Sequence, residues 1–201
     1  MLNRDSDVDF RRAFDELVAE RDGLLRQAHL RAEAIAIATA ITRSFERGGR
    51  IYWFGNGGSA ADAQHLAAEF SGRYRRERPS LPSEALSTNS SAVTAIGNDY
   101  GYDFVFARQL EGSARPGDVA VGLTTSGNSK NVVLGLEAAR ARGAVTIAFT
   151  GNGGGGAARA ADLVLLGPDG YAALIQEVHI TMGHIVCDLV EQALFPGAVT
   201  P

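Results

Sequence analysis

The sequence predicts an α/β fold, a parallel five-stranded sheet flanked by helices and preceded by an N-terminal helical pair. Three observations carry this. Two segments with helical spacing of apolar residues precede a glycine pair, Gly48-Gly49. Beyond Arg50, short β-rich runs alternate with helical stretches, the pattern of strands joined by crossover helices. No internal repeat or linker divides the chain, so residues 1–48 are expected as a helical arm packed with residues 49–201 as one unit.

The first helix, through about Arg26, places Phe10, Phe14, Leu17, Val18, Leu24 and Leu25 at helical spacing among charges. The second, from about Leu30 to Phe45, carries Ile35, Ile37 and Ile41 among alanines and stops at the glycine pair. Such an apolar pair needs cover, either from the domain or from a neighbouring subunit, which favours a homo-oligomer. Strands are expected at Ile51 to Phe54, Ala85 to Ser87, Val119 to Leu123, Val145 to Phe149 and Leu163 to Leu166. A long final helix runs from about Tyr171 to Phe195 and ends before Pro196-Gly197.

The apolar share of 45% and charged share of 21% are ordinary for a globular chain of 201 residues. No run of about 20 apolar residues is expected to span a bilayer, and the acidic N-terminus does not read as a signal peptide. The single cysteine, Cys187, cannot form an internal disulfide, which agrees with a cytoplasmic location and a packing role. A net charge of −4 argues against nucleic-acid binding, so any phosphate must be held locally.

In parallel sheets ligands gather at the carboxyl ends of strands, where helix N-termini present free amides. Two loops qualify. Gly55-Asn56-Gly57-Gly58-Ser59 follows the first strand, with Ser59 as a cap and glycines that permit close backbone approach. Its looser match to a dinucleotide fingerprint fails because no acidic residue ends the second strand. Thr124-Thr125-Ser126-Gly127-Asn128-Ser129 follows the third strand and leads into a helix beginning near Asn131. Its hydroxyls and amides can satisfy the three acceptor oxygens of a phosphate monoester without a lysine. A third run, Gly153 to Gly156, lacks hydroxyls and reads as a flexible turn.

The helix after the first loop carries Asp62, His65 and Glu69. The last two, four residues apart, share a face and can ligate a metal or share a proton transfer. On the final helix Gln176 and His184 lie eight residues apart, a rise of about 12 Å on an ideal helix. For both to reach one small site, the helix must start after Gln176 or a neighbouring chain must contribute. Arg73 is placed to reach the same cleft or to pair with Glu69, and Asn98-Asp99 to contact sugar hydroxyls or cap a turn. His29 and His179 are assigned structural or surface roles.

The stretches GNGGSAADAQHLAAEFSGRY, TAIGNDYGYD, LTTSGNS and LIQEVHITMGH resemble, in order and spacing over nearly the whole chain, the phosphoheptose isomerases. The resemblance implies a SIS-type, flavodoxin-like fold, a homotetramer with active sites between subunits, and one zinc per subunit. It also implies conversion of sedoheptulose 7-phosphate to D-glycero-D-manno-heptose 7-phosphate. His65, Glu69, Gln176 and His184 fall on the family's metal positions. Asn56, Gly57, Gly58, Asn98, Asp99, Thr124, Thr125, Ser126 and Ser129 fall on substrate positions, joined by Ser59, Glu69, Arg73 and Gln176 as expected substrate contacts. Glu69 and His184 fall on the acid-base pair.

That chemistry can be checked against the residues. A ketose–aldose exchange needs proton removal beside a carbonyl, a stabilised enediolate and proton return at the neighbouring carbon, tasks that suit a carboxylate and an imidazole. Where both also bind zinc, ligation and proton transfer compete or alternate.

Two features depart from the pattern. Ala173-Leu174 stands where the isomerases often carry polar residues. Glu77 to Pro82 and Cys187 to Leu189 resemble segments of a non-enzymatic relative, the regulator that binds the replication initiator DnaA, the main alternative. His184, which that regulator's pattern replaces, favours catalysis. A sugar-phosphate-sensing module would keep the loops without needing Glu69 and His184.

Overall fold

A computed structural model describes residues 6–197. Helices α1 (Ser6–Leu25) and α2 (Ala28–Glu46) precede β1 (Ile51–Gly55), α3 (Gly58–Ser71), β2 (Ser83–Ala85), α4 (Ser90–Tyr100) and a 3₁₀ turn (Tyr102–Phe104). Then come α5 (Ala107–Ser113), β3 (Val119–Thr124), α6 (Lys130–Ala141), β4 (Val145–Thr150), α7 (Gly155–Ala160), β5 (Leu163–Leu166) and α8 (Ala172–Leu194). The sheet is wholly parallel in the order β2-β1-β3-β4-β5. From β1 the chain steps outward to β2, then returns past β1 to β3. The order therefore reverses between β1 and β3, the place where an open α/β sheet leaves a crevice.

Every residue of β1 and β3 is buried, because helices cover both faces of the sheet and no strand face meets water. Alternation sends Ile51 and Trp53 toward α2, α3 and α8, and Tyr52 and Phe54 toward α5 and α6. Burying each such side chain contributes roughly 1.5–3 kcal/mol. The Phe54 ring fits because Gly122 and Gly135 are bare: a Cβ would come within 3.0 Å and 2.8 Å of its Cε2.

Strand β2 begins two residues earlier than expected. It is a short edge strand whose pairing, Ile51 opposite Ser83 through Trp53 opposite Ala85, is fixed by β1 rather than by its own polar Ser83-Glu84. Ser83 Oγ accepts the Trp53 indole N–H at 3.0 Å.

The helical pair divides in character. Leu30, Ala34, Ile37 and Ile41 of α2 lie in the core against α8, whereas Phe10, Phe14, Leu17 and Val18 of α1 are 45–67% exposed. Arg21 ties α1 to α8, donating to Glu177 at 2.6 Å and to the Tyr171 hydroxyl at 2.9 Å.

By length and composition α8 is apolar enough to cross a bilayer, contrary to the expectation from the sequence, but half of that stretch is buried inside the protein. Its hydropathy is that of a core helix. Cys187 is among its buried residues, and burial pushes its thiol pKa up, so it is a packing group.

His179, also on α8, is fully buried and donates its Nε2–H to the Thr150 carbonyl at 3.1 Å. Burial pushes its pKa down to about 4 against the opposing pull of that carbonyl, so the folded chain holds it neutral. The unfolded chain protonates near pH 6.5. Stability is therefore fully present above that pH and lost as pH falls toward 4, by roughly 3 kcal/mol from this group. Urea melts at pH 7 and 4.5 are expected to show His179→Gln losing less stability between the two than the wild type.

Candidate active site

The two loops singled out in the sequence meet at the reversal of strand order. The first leaves β1 at Gly55 and enters α3 through Gly57, the N-cap residue, whose φ of +55° with ψ of −122° suits glycine. Ser59 is not the cap: it lies in the first turn, buried, its N–H bonded to the Asn56 carbonyl at 3.0 Å. Asn56 exchanges two amide hydrogen bonds with Asn131 at the start of α6, each 2.8 Å, and accepts from the Tyr102 hydroxyl at 3.3 Å. Asn131 is buried and ties one loop to the other. In the sequence it looks like any polar residue at a helix start, although such an asparagine directly after a hydroxyl loop is the available signal.

In the second loop Thr124 Oγ1 lies 2.9 Å from Ser129 Oγ and 3.4 Å from Ser126 Oγ, so three hydroxyls converge in front of α6. The first-turn amides of a helix have no intrahelical acceptor, and with these hydroxyls they are able to cradle an anion. Gly153 to Gly156 is a buttress for this cradle rather than a flexible turn. The Gly127 carbonyl accepts from Ala157 N at 2.8 Å, and Asn128 Oδ1 accepts from Gly156 N at 3.0 Å. Asn152, at φ +50°, donates its amide to the Thr125 carbonyl at 3.2 Å and to that of Gly170 at 3.3 Å.

A Cβ on Gly127 would stand 2.3 Å from the Gly154 carbonyl oxygen, at a φ of +68°. Backbone faces backbone there, so neither side can yield. Gly127→Ala is expected to cost about 1–3 kcal/mol of stability and to raise the KM for a phosphorylated substrate about tenfold or more, equivalent to about 1.4 kcal/mol. Thermal melts and steady-state kinetics check both.

The third part lies along α3 and α8, which run side by side. Gly183 lets them close: a Cβ there would be 2.7 Å from Leu66 Cδ1. That approach sets His184 Nε2 2.8 Å from His65 Nε2, and His65 Nε2 is 3.2 Å from Glu69 Oε1. The ring of Tyr74 stacks on His184 at 5.3 Å with an interplanar angle of 12°. Burial, then the neighbouring His65, push the His184 pKa down, and Glu69 opposes them. Two imidazole nitrogens this close share one proton or present both lone pairs to a cation. The donor atoms of His65, Glu69 and His184 lie within 4.8 Å of one another and can hold a metal ion. Asp62, one turn before His65, has a buried carboxylate oxygen without a hydrogen-bond partner, and burial raises its pKa against the pull of His65.

The other expected site residues stand apart from this cluster. α8 begins at Ala172, so Gln176 and His184 share one unbroken helix, contrary to a start after Gln176. The Gln176 amide lies over Gly58, where a Cβ would meet its Nε2 at 2.6 Å, two helical turns from His65. Arg73 does not pair with Glu69. α3 ends at Ser71, which breaks the helical spacing, and Arg73 pairs with Glu77 at 3.5 Å. Asn98 and Asp99 sit exposed in the last turn of α4, bonded to each other at 2.8 Å.

The SIS domain family model matches residues 18–151. The chain is 50% identical over 195 residues to a phosphoheptose isomerase of Roseiflexus sp. (strain RS-1), covering 96% of this chain and 99% of that one. It belongs to the phosphoheptose isomerases. Another phosphoheptose isomerase, from Rhodospirillum rubrum, is 54% identical over 164 residues, 81% of this chain and 87% of that one. Among solved structures, phosphoheptose isomerase GmhA from Neisseria gonorrhoeae superposes with a TM-score of 0.83 at 40% identity, covering 91% of this chain and 99% of that one. A phosphoheptose isomerase from Francisella tularensis gives 0.86 at 31% identity, covering 92% and 98%.

None of these relatives is an initiator-binding regulator, and the fold gives the shared segment another purpose. Within Glu77 to Pro82, Arg78 is buried and donates its Nε–H to Glu191 Oε1 at 2.9 Å and its Nη2–H to the Glu69 carbonyl at 2.7 Å. The segment is a clasp behind the His65 cluster. The apolar Leu174 is likewise explained by its burial in this isomerase, while Ala173 is exposed.

Proposed function

We propose that the chain converts sedoheptulose 7-phosphate to D-glycero-D-manno-heptose 7-phosphate by enediol acid-base chemistry. The observation that carries this reading is the cluster of His65 and Glu69, on α3, which opens at the crevice where the hydroxyl loop lies, with His184 brought beside them by α8. In this reading Thr124, Thr125, Ser126 and Ser129, with the first-turn amides of α6, hold the phosphate and orient the sugar. Asn56, Gly57 and Gly58 line its path, and Ser59 supports that turn from within α3. Asn98, Asp99, Arg73 and Gln176 are assigned to the sugar by resemblance.

Of Glu69 and His184, one takes a proton from C1 while the other delivers a proton to the carbonyl oxygen at C2. Return of a proton at C2 and loss of the O1 proton complete the aldose. A neutral His184, favoured by its lowered pKa, can accept or donate in these steps.

Two imidazoles and a carboxylate are a donor set that zinc takes at catalytic sites, with a position left for substrate. We assign zinc to His65, Glu69 and His184, and Gln176 as a ligand rests on resemblance alone. When bound, the ion would act as a Lewis acid toward the sugar oxygens.

The exposed Phe10, Phe14, Leu17 and Val18 support an assembly, taken by resemblance as a homotetramer with sites between subunits. A cytoplasmic location agrees with the unpaired Cys187, and the net charge of −4 gives no reason to expect a nucleic-acid partner. Purified protein is expected to form the aldose from sedoheptulose 7-phosphate, to lose most of that activity on chelation, and to regain it with zinc. A folded protein that leaves this ketose unchanged after zinc addition would overturn the reading.

A further inference from the structure

A cavity of about 710 Å³ lies not at the crevice but at the opposite, amino-terminal edge of the sheet, below β1 and β3. Five residues of β1, roughly 16 Å, separate the two ends. Three guanidinium-bearing residues, Arg47, Arg50 and Arg115, line the cavity, and its one acid is Asp118. That acid is not available to them. Asp118 is buried, and its carboxylate accepts the backbone N–H of Arg50 at 3.0 Å and of Arg115 at 2.8 Å. One carboxylate thus pins the main chain at both arginines while leaving their side chains without it. Among the described residues no carboxylate lies within ion-pair distance of Arg47, Arg50 or Arg115.

Arginines near helix C-termini also offset the helix dipole, and Arg115 does so, donating Nη1–H to the carbonyls of Gly112 and Ala114. Arg47 and Arg50 make no such side-chain bond among the described residues, which leaves two guanidiniums at the cavity in a chain whose net charge is −4. Gly48 and Gly117 also line the cavity, and a Cβ at either would meet nothing within 4 Å. A cavity of this size suits a small metabolite, and guanidinium forks suit phosphate oxygens.

We propose that this cavity is a second anion site, built for a compact diphosphate group and separate from the hydroxyl cradle. Inorganic pyrophosphate is the probe. Calorimetric titration at about 0.15 M salt, where exposed charges are already screened, is made on zinc-loaded protein with sedoheptulose 7-phosphate at saturation to fill the cradle. One pyrophosphate per chain is expected to bind. Its affinity should fall at least tenfold in an Arg47→Gln, Arg50→Gln double variant that keeps the wild-type melting temperature and turnover. No heat under these conditions, or equal affinity in the variant, would overturn the proposal. Binding seen only without the sugar phosphate, and lost in Ser126→Ala, would overturn it too by assigning the anion to the cradle.

Discussion

Turnover is expected to fall by roughly 10²- to 10⁴-fold when His184 becomes alanine, with the fold intact. His184 is half-buried at the meeting of α3 and α8, so its loss removes a stacking contact with Tyr74 rather than core volume. That contact is worth about 0.5–1.5 kcal/mol. The kinetic effect is larger because the Nε2 atom of His184, 2.8 Å from that of His65, belongs to the proposed acid-base pair. The loss should fall on kcat more than on KM, since the substitution leaves untouched the hydroxyls of Thr124, Ser126 and Ser129 proposed to hold the phosphate. Glu69→Gln should behave alike, keeping shape while removing the carboxylate. Bound metal, measured alongside the kinetics, separates two causes: a variant that keeps its metal and loses turnover has lost proton transfer. A His184→Ala protein retaining more than a tenth of wild-type kcat would remove the residue from the chemistry.

The sequence made the central strands legible for a physical reason. β1 and β3 are buried on both faces, so they appear as unbroken apolar runs bounded by glycine and hydroxyl loops. β2 was misplaced by two residues because an edge strand takes its register from its neighbour. The two loops were legible as strand-to-helix turns because such turns gather glycines and hydroxyls in sequence, and their meeting rests on the Asn56–Asn131 bonds. The pairing of His65 with Glu69 followed from helical spacing, but the arrival of His184 beside them depends on Gly183 meeting Leu66, a contact between elements distant in sequence. Residues whose role is set by what packs behind them were the ones missed: Asn131, bonded to Asn56 across the crevice, and Gly153 to Gly156, which look loose until Gly127 is seen against them. Arg73 was drawn toward Glu69 by a helix that stops at Ser71.

The largest stability loss is expected at Glu191, about two turns beyond His184 on α8. Its carboxylate is fully buried and accepts four bonds at 2.9–3.0 Å, from the backbone N–H groups of Tyr74, Arg75 and Arg76 and from the guanidinium of Arg78. Burial raises its pKa, but those donors outweigh burial and leave the net shift downward. Glu191→Ala leaves Arg78 charged and buried without a counter-ion and orphans three amides, so a loss of about 3–5 kcal/mol is expected. For a chain of this size that lowers Tm by about 6–20 °C. Because the folded pKa lies below the unfolded one, the contribution is present above the unfolded value and lost as pH falls through the folded value. Glu191→Gln, which removes the titration, should therefore narrow its deficit against wild type in acid. Arg78→Ala should cost a similar amount, and the double variant less than the sum, since each single change strands the other charge. The clasp also reaches the chemistry: Arg78 holds the Glu69 carbonyl at 2.7 Å, and Glu191 holds the backbone of Tyr74, which stacks on His184. A conservative Arg78→Lys, which keeps the charge but cannot reproduce the fork of bonds, should remain folded at 25 °C yet lower kcat, and zinc should not restore it. Unchanged kcat in that variant would confine the clasp to stability.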